Sequence, residues 1–422
     1  MKINQPENKL FWFNPEVDCV TRAPVPANEN KVFHAIQHSL EYLMLFLAKK
    51  YDTVYFRNKI NKEHLEYLSQ VGVELPQVSN IESMKKNIKD VKVSQFAPWG
   101  WSHEVVEEIK GSEGFNSEII NDVDNILELN SKSYSRSLSI ELLERDKDLS
   151  LDQTYLGFEC RSLDECVDMS EKYFNAKYDT VVFKAPFGTA GRGFKFLKSK
   201  ELDLTLKKWA QNVLQNQGSI VVEPWVKRLN DFSLIFENRE GKASFLSETK
   251  MIIDSRGGYK GCWVKANQQG SVLNEEYLDL LTKILTKRLF EKLKVIKNIC
   301  FSVDGFTFFN HKDEIALRPI SEINFRYSMG RIAVELKKYL SDNSLALLRF
   351  LNVKKISFNR IDKIKEKFKV IIGENGKWTK GVVFLNPLDK ELNYLAVYIV
   401  GKNEDIVLEQ YHSLCHCVGI NP

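Results

Sequence analysis

Three residues late in the chain have the types and the spacing to hold a divalent cation. Glu322 and Asn324 lie two apart in the stretch Ile315 to Gly330, IALRPISEINFRYSMG. On a strand, residues two apart face the same side. The pair then presents a carboxylate and an amide oxygen together, with Ile323 turned to the core. Asp304 lies in the preceding apolar stretch, Phe301 to Phe309, FSVDGFTFF, and the connection from Asn310 to Glu314 reads as a turn. Antiparallel pairing of the two stretches puts Asp304 beside Glu322. Hard oxygen donors that leave room for waters and phosphates suit Mg²⁺. A purely structural role would bury a carboxylate on an apolar strand without a partner, which is costly.

A second group lies upstream, in Asp179 to Phe196, DTVVFKAPFGTAGRGFKF. Thr180 to Phe183 reads as a short strand ending on Lys184. The run Gly188, Thr189, Ala190, Gly191, Arg192 and Gly193 follows, and Phe194 to Leu197 reads as a returning strand. Glycines let such a loop bring its backbone N–H groups close to an anion. No Lys-Ser or Lys-Thr follows the glycines, which excludes a P-loop, and the order G-x-x-G-x-G opens a strand where a dinucleotide fingerprint opens a helix. A lysine followed by a glycine hairpin suits a nucleoside triphosphate gripped from above; an ordinary flexible hairpin is the alternative.

Two further stretches join these. Ile220 to Val226 reads IVVEPWV, with Asp231-Phe232-Ser233 after it. In this order and spacing, over about residues 120 to 345, the glycine hairpin, this segment and the Asp304…Glu322-x-Asn324 pattern resemble the ATP-grasp superfamily. The resemblance implies an α/β and α+β chain of three parts. These are an N-terminal parallel-sheet domain (1–118), a two-subdomain ATP-grasp domain (119–345, with its lid at about 179–226) and a small C-terminal α+β tail (346–422).

The resemblance also implies roles. Lys184 would donate to the α- and β-phosphates of ATP, and the amides of Gly188 to Gly193 would cover the β- and γ-phosphates. Lys132, in the first turn of a helix, matches a further phosphate-reaching cation. Glu223, Pro224, Trp225 and Val226 match the hinge that reads the adenine edge, and Asp231 the acid that holds the ribose hydroxyls. Asp304, Glu322 and Asn324 match the ligands of two Mg²⁺ ions bridging the triphosphate. Lys250 and Lys260 could both reach the phosphates as well.

The reaction so implied is a ligation. A small-molecule or peptide carboxylate attacks the γ-phosphate, giving an acyl phosphate and ADP, and an amine then displaces phosphate. The protein's part is positioning and charge neutralisation. Amino-acid ligases of this kind often carry an arginine two residues before the metal aspartate, where this chain has Ser302. The anion-holding role therefore stays open among Arg318, Arg326 and Arg331. Phosphoryl transfer to a hydroxyl and non-catalytic nucleotide sensing are the competing functions.

The elements that must position these groups are legible in outline. Leu10 to Phe13, Thr53 to Phe56 and Val91 to Phe96 read as strands, and Lys31 to Lys49 and Lys62 to Val71 as amphipathic helices. That alternation implies a parallel sheet. The loop Phe96 to His103, with Trp99 and Trp101, follows a strand and either walls a substrate or plugs a domain interface. In the tail, Lys377 to Leu385 and Leu392 to Val400 read as strands and Asp405 to Val418 as a helix. His34 and His38, and the crowded His412, Cys415, His416 and Cys417, lack the tetrahedral reach of a zinc site and read as packing residues.

Composition narrows the class. The chain has 422 residues, 43% hydrophobic and 27% charged, with a net charge of only +4. A bulk nucleic-acid binder is not expected at that charge, nor a membrane protein without a long apolar run. Seven cysteines without a regular framework fit reduced thiols. A cytoplasmic enzyme using ATP and Mg²⁺ is the expectation.

Overall fold

The computed structural model describes residues 8–18, 27–80, 93–110, 121–145, 151–188, 193–267, 272–296, 298–353, 361–389 and 391–421. The N-terminal sheet is wholly parallel, in the order β3-β2-β1-β4, from β1 (Asn8–Trp12), β2 (Thr53–Phe56), β3 (Gln77–Asn80) and β4 (Val93–Pro98). Strand β3 has no counterpart in the sequence reading. It is four mostly polar residues, partly exposed, and carries no alternation to detect. The single helix read over Lys31 to Lys49 is instead an α-helix, Ala27–Leu40, followed by a 3₁₀ turn, Glu41–Phe46. All six residues of that turn are buried, so the one-wet-face rule behind a helical reading does not apply to them.

A small antiparallel sheet follows, in the order β5-β8-β6-β7, from β5 (Phe158–Cys160), β6 (Val181–Lys184), β7 (Phe194–Leu197) and β8 (Ile220–Pro224). Helices Leu163–Asn175 and Leu204–Gln217 pack on it around Cys166, Tyr173, Leu206, Ala210 and Val213. Ser162 and Asp203 cap the two helices, each accepting a third-residue N–H.

The remaining strands form one antiparallel sheet of nine. They are β9 (Arg228–Arg239), β10 (Lys242–Ile253), β11 (Tyr259–Lys265), β12 (Ile299–Phe309), β13 (Ile315–Asn324), β14 (Leu345–Asn352), β15 (Ile371–Ile372), β16 (Trp378–Phe384) and β17 (Tyr394–Gly401). Their spatial order is β13-β12-β9-β10-β11-β14-β17-β16-β15. The C-terminal strands thus extend the sheet that begins with β9, with β14 pairing β11 from Gly261↔Arg349 to Lys265↔Leu345.

Register assigns two faces to this sheet. Glu322, Asp304, Ser233 and Thr249 lie opposite one another on successive strands and share one face. Phe232, Lys250 and Trp263 align likewise and share the other. Helix Glu275–Leu293 buries Leu281, Leu285 and Leu289 in one cluster with Phe232, Leu234 and Phe236. On the first face, helix Met329–Leu336 packs Ile332, Ala333 and Leu336 in a cluster with Cys262, Leu348 and the N-terminal residues Phe11, Phe13 and Leu43. Trp378 Nε1 donates to the Val71 carbonyl at 2.7 Å and ties the late strands to the N-terminal domain.

Candidate nucleotide and metal site

The first face of the large sheet gathers the acids. Asp304 and Glu322 are direct cross-strand partners, as are Ser302 and Asn324. Ser233 Oγ donates to Asp304 Oδ1 at 2.6 Å, and Asn324 Nδ2 donates to Asp304 Oδ2 at 3.1 Å. Arg326 Nη2 donates to Asn324 Oδ1 at 3.1 Å. Burial, with the Glu322 charge added, pushes the Asp304 carboxyl up to about 7, against the lowering from Ser233 and Arg326. Two acids brought together in a buried place are what a cation would relieve.

Lys132, at the start of helix Lys132–Arg145, reaches this group from the side. Its Nζ lies 3.0 Å from Glu322 Oε1 and 3.2 Å from the Gly188 carbonyl oxygen, at the foot of the β6–β7 hairpin. The helix is seated on β13 by side chain to backbone bonds: Ile323 N–H donates to Ser135 Oγ, and Ser139 Oγ donates to the Ile320 carbonyl. Lys132 and Lys184 both lie over the Phe194 ring, at 5.7 and 5.2 Å from its centroid.

Lys184 and Glu223, on the paired strands β6 and β8, form a buried ion pair. Arg318 Nη1 stands 2.8 Å from the other Glu223 oxygen, Oε2. Burial alone would raise the Glu223 carboxyl, but Arg318 and Lys184 outweigh it and hold the group below its ordinary value. Burial lowers the Lys184 ammonium despite Glu223. Pro224 ends β8, Trp225 N–H donates to the Thr180 carbonyl at 2.9 Å, and Val226 packs against the cluster of Tyr155, Phe306 and Phe308. Asp231 pairs with Arg228, Nη1 to Oδ1, at 2.8 Å. The Arg228 guanidinium lies 4.1 Å from the Phe306 centroid and 4.7 Å from that of Trp225.

The structure therefore brings together Lys132, Lys184, Gly188, Gly193, the Glu223–Val226 segment, Asp231, Asp304, Glu322, Asn324 and Arg326. Thr189, Ala190, Gly191 and Arg192 lie outside the described residues. A Cβ on Gly188 would stand 2.8 Å from the Gly193 Cα, so the feet of the hairpin meet closely only because both are glycine.

Four expectations change. Lys250 is not at this site: it pairs across to Phe232 and Trp263, on the reverse face, because strand parity separates it from Thr249. Lys260 is engaged within its own loop, 3.1 Å from Asp254 Oδ2. Arg318 is buried beside Glu223 and donates to the carbonyls of Tyr155 and Ile320, so it is no open substrate clamp. Its phase with Glu322 survives the irregular pairing, since four residues of β13 span two of β12 between Glu322↔Asp304 and Arg318↔Phe306, an even offset; the buried partner Glu223 is what takes it up. Arg331 is likewise engaged, donating to Glu335 at 2.5 Å and to Cys300 Sγ at 3.6 Å. Of the three arginines, Arg326 alone adjoins the proposed metal ligands.

Sequence reasoning passed over Ser233 and Arg228. Ser233 follows Asp231 by two and shares its strand face, which is the signal that would have found it. The two tryptophans are core residues: Trp99 packs edge-on to Phe13 at 5.0 Å, and its carbonyl accepts from Tyr327 N–H. Among the described residues no group of three or more His, Cys, Asp or Glu is placed to hold a metal. The protein's own donors here are two carboxylates and one amide, a set that fits Mg²⁺ when phosphate oxygens and water complete the shell.

Solved structures share the chain's fold. Biotin carboxylase from Campylobacter jejuni, in a β-γ-ATP complex, superposes with a TM-score of 0.54 at 11% identity, covering 97% of this chain and 91% of that one. The ADP complex of purK, N5-carboxyaminoimidazole ribonucleotide synthetase, gives 0.51 at 12% identity, covering 88% and 93%. The chain has the ATP-grasp fold. Among curated proteins, the [butirosin acyl-carrier protein]–L-glutamate ligase of Niallia circulans is 27% identical over 222 residues, 52% of this chain and 50% of that protein. The chain thus matches about half the length of that relative. No family model matches. No helix among the described residues is long and apolar enough to cross a membrane.

Proposed function

We propose that this ATP-grasp chain is an ATP- and Mg²⁺-dependent ligase that joins a small-molecule or peptide carboxylate to an amine. The observation that carries the reading is the Lys132 bridge between Glu322 and the Gly188 carbonyl, which places the acidic cluster directly under the glycine hairpin. Mg²⁺ would supply a Lewis acid on the phosphates, held by Asp304, Glu322 and Asn324. Lys132 and Lys184 carry positive charge at the hairpin where the phosphates would lie. The Glu223–Val226 segment offers backbone groups for the adenine edge, once Arg228 leaves the ring faces of Trp225 and Phe306. Arg326, beside Asn324, is the cation left to orient the carboxylate. The carboxylate oxygen bonds to the γ-phosphorus as ADP leaves; the amine nitrogen then bonds to the acyl carbon as phosphate leaves.

The partial match to an acyl-carrier-protein–glutamate ligase supports ligation over phosphoryl transfer to a hydroxyl. The test is a panel of amino acids, peptides and other acids incubated with MgATP and hydroxylamine, followed for ADP and hydroxamate. ADP formation with hydroxamate for at least one acid is expected. ADP formation that yields a phosphorylated hydroxyl compound and never a hydroxamate would replace ligase with kinase.

A further inference from the structure

The nine-stranded sheet carries a cavity of about 230 Å³, lined by β10 and β11 residues of both faces, that the ligase reading does not use. Its floor is β10 and β11, through Lys250 and Trp263. Leu278 of helix Glu275–Leu293 and Glu404 of helix Glu404–Cys417 stand on its walls. Three lysines from three elements converge on it: Lys250 from β10, Lys265 from β11, and Lys337 from the turn after helix Met329–Leu336.

None of the three lysines has an ion-pair partner among the described residues. Lys337 donates only to Ser247 Oγ, at 3.1 Å, and burial lowers its ammonium below the ordinary value. Two acids also line the cavity. Glu248 accepts the Leu273 N–H at 3.3 Å, and burial pushes its carboxyl up to about 7, so part of its charge is withdrawn near neutral pH. Glu404 is exposed in the first turn of its helix, where the macrodipole already favours a negative charge. Three lysines outnumbering the two acids around a cavity, with Trp263 beside them, form a receptor for an anion.

We propose that this cavity binds a small polyvalent oxyanion, a carboxylate or phosphate compound, at a site distinct from the nucleotide. It is a binding site and not a second reaction centre, because neither Asp304 nor Glu322 lines it. The two sites still share a strand. Thr249, between Glu248 and Lys250, faces the other way and would lie 3.3 Å from a Cβ on Gly330, beside the acids' own face.

The test is calorimetric titration of the full chain, saturated with MgADP and held at constant ionic strength, with succinate and separately with inorganic phosphate. Saturable binding of one or both, one ion per chain, is expected, and which of them binds identifies the source of the oxyanion. The double variant Lys250→Gln, Lys265→Gln should weaken that binding by roughly tenfold or more, with MgADP affinity unchanged. Lys265→Glu alone should do the same, and its circular dichroism checks that the fold survives. Equal anion affinity in wild type and both variants would place the ion elsewhere and overturn the proposal. So would the absence of saturable binding of either ion at millimolar concentration.

Discussion

Lys132 Nζ stands 3.0 Å from Glu322 Oε1, and through it β13 is tied to the foot of the β6–β7 hairpin. The lysine is buried and the glutamate only partly so, so the ammonium gains from a partner that water reaches from one side. A cation bound by Glu322 competes for the same carboxylate, which frees Lys132 for phosphate. Lys132→Met should therefore lower turnover by about a hundredfold, the scale seen when one preorganised charge is lost from an active site. ADP binding followed with and without Mg²⁺ checks the cause. The loss of affinity should be present in both conditions, since Lys132 answers the phosphates and not the metal.

Glu322→Gln isolates the metal. It keeps the side chain's shape and removes its charge beside Asp304. Turnover should fall by about two orders of magnitude, while ATP affinity falls far less, because Lys184, the Glu223–Val226 segment and Asp231 are untouched. Near-normal turnover in a folded variant would remove the metal assignment and the ligase reading with it.

The buried trio of Lys184, Glu223 and Arg318 gives a stability prediction. Glu223 is the single acid between two buried cations, with all three side chains 4% exposed or less. Glu223→Leu would leave both cations without their shared partner, and breaking a buried pair in this way costs about 3–5 kcal/mol. A urea midpoint unchanged from wild type would show that water or another acid already compensates them.

The pairing that builds the candidate site was more legible than the elements around it, for reasons visible in particular residues. Glu322-x-Asn324 and Asp304 rest on the two-residue period of a strand, which is geometric and survives any surroundings. Their pairing followed once Asn310 to Glu314 was a turn. Lys250 was misplaced by the same period: Thr249 and Lys250 are neighbours in sequence, and nothing local says which of them faces the nucleotide. Arg318 failed for a different reason, because the acid that takes it up, Glu223, lies on a strand far away in sequence. A Cβ at Gly305 would meet Phe232, Pro319 and Arg318 atoms within 2.8 Å, a packing demand that no sequence pattern declares. The 3₁₀ turn Glu41–Phe46 was hidden because burial on every side erases periodicity. The cavity lysines were invisible as a group, since they come from three separate segments.

A last prediction concerns pH and the N-terminal domain. His64 is 2% exposed and lies between the rings of Tyr42 and Tyr67, at 5.3 and 5.7 Å. Burial, with Lys365 adding to it, lowers its imidazole from 6.5 to about 3, against a raising contact with the Leu385 backbone. The folded protein therefore keeps His64 neutral where the unfolded chain would protonate it. Unfolding takes up a proton throughout the window from about 3 to 6.5, so stability rises with pH across that window and is lost as pH falls through it. Glu41 and Glu248 act in the opposite sense. Burial pushes both carboxyls up to about 7, so they lose stability as pH rises from 4.5 towards 7. The pH profile of the wild type mixes these effects, and a variant separates them. His64→Phe keeps an aromatic ring between the tyrosines and removes the titration, at a cost that does not depend on pH. Between pH 7 and pH 5 the wild type should lose about 2 kcal/mol more than the variant, from one proton over the titrating part of the range. Urea unfolding of both proteins at the two pH values measures the difference directly. Parallel losses in the two proteins would mean that His64 is already protonated in the folded state, against the burial found for it.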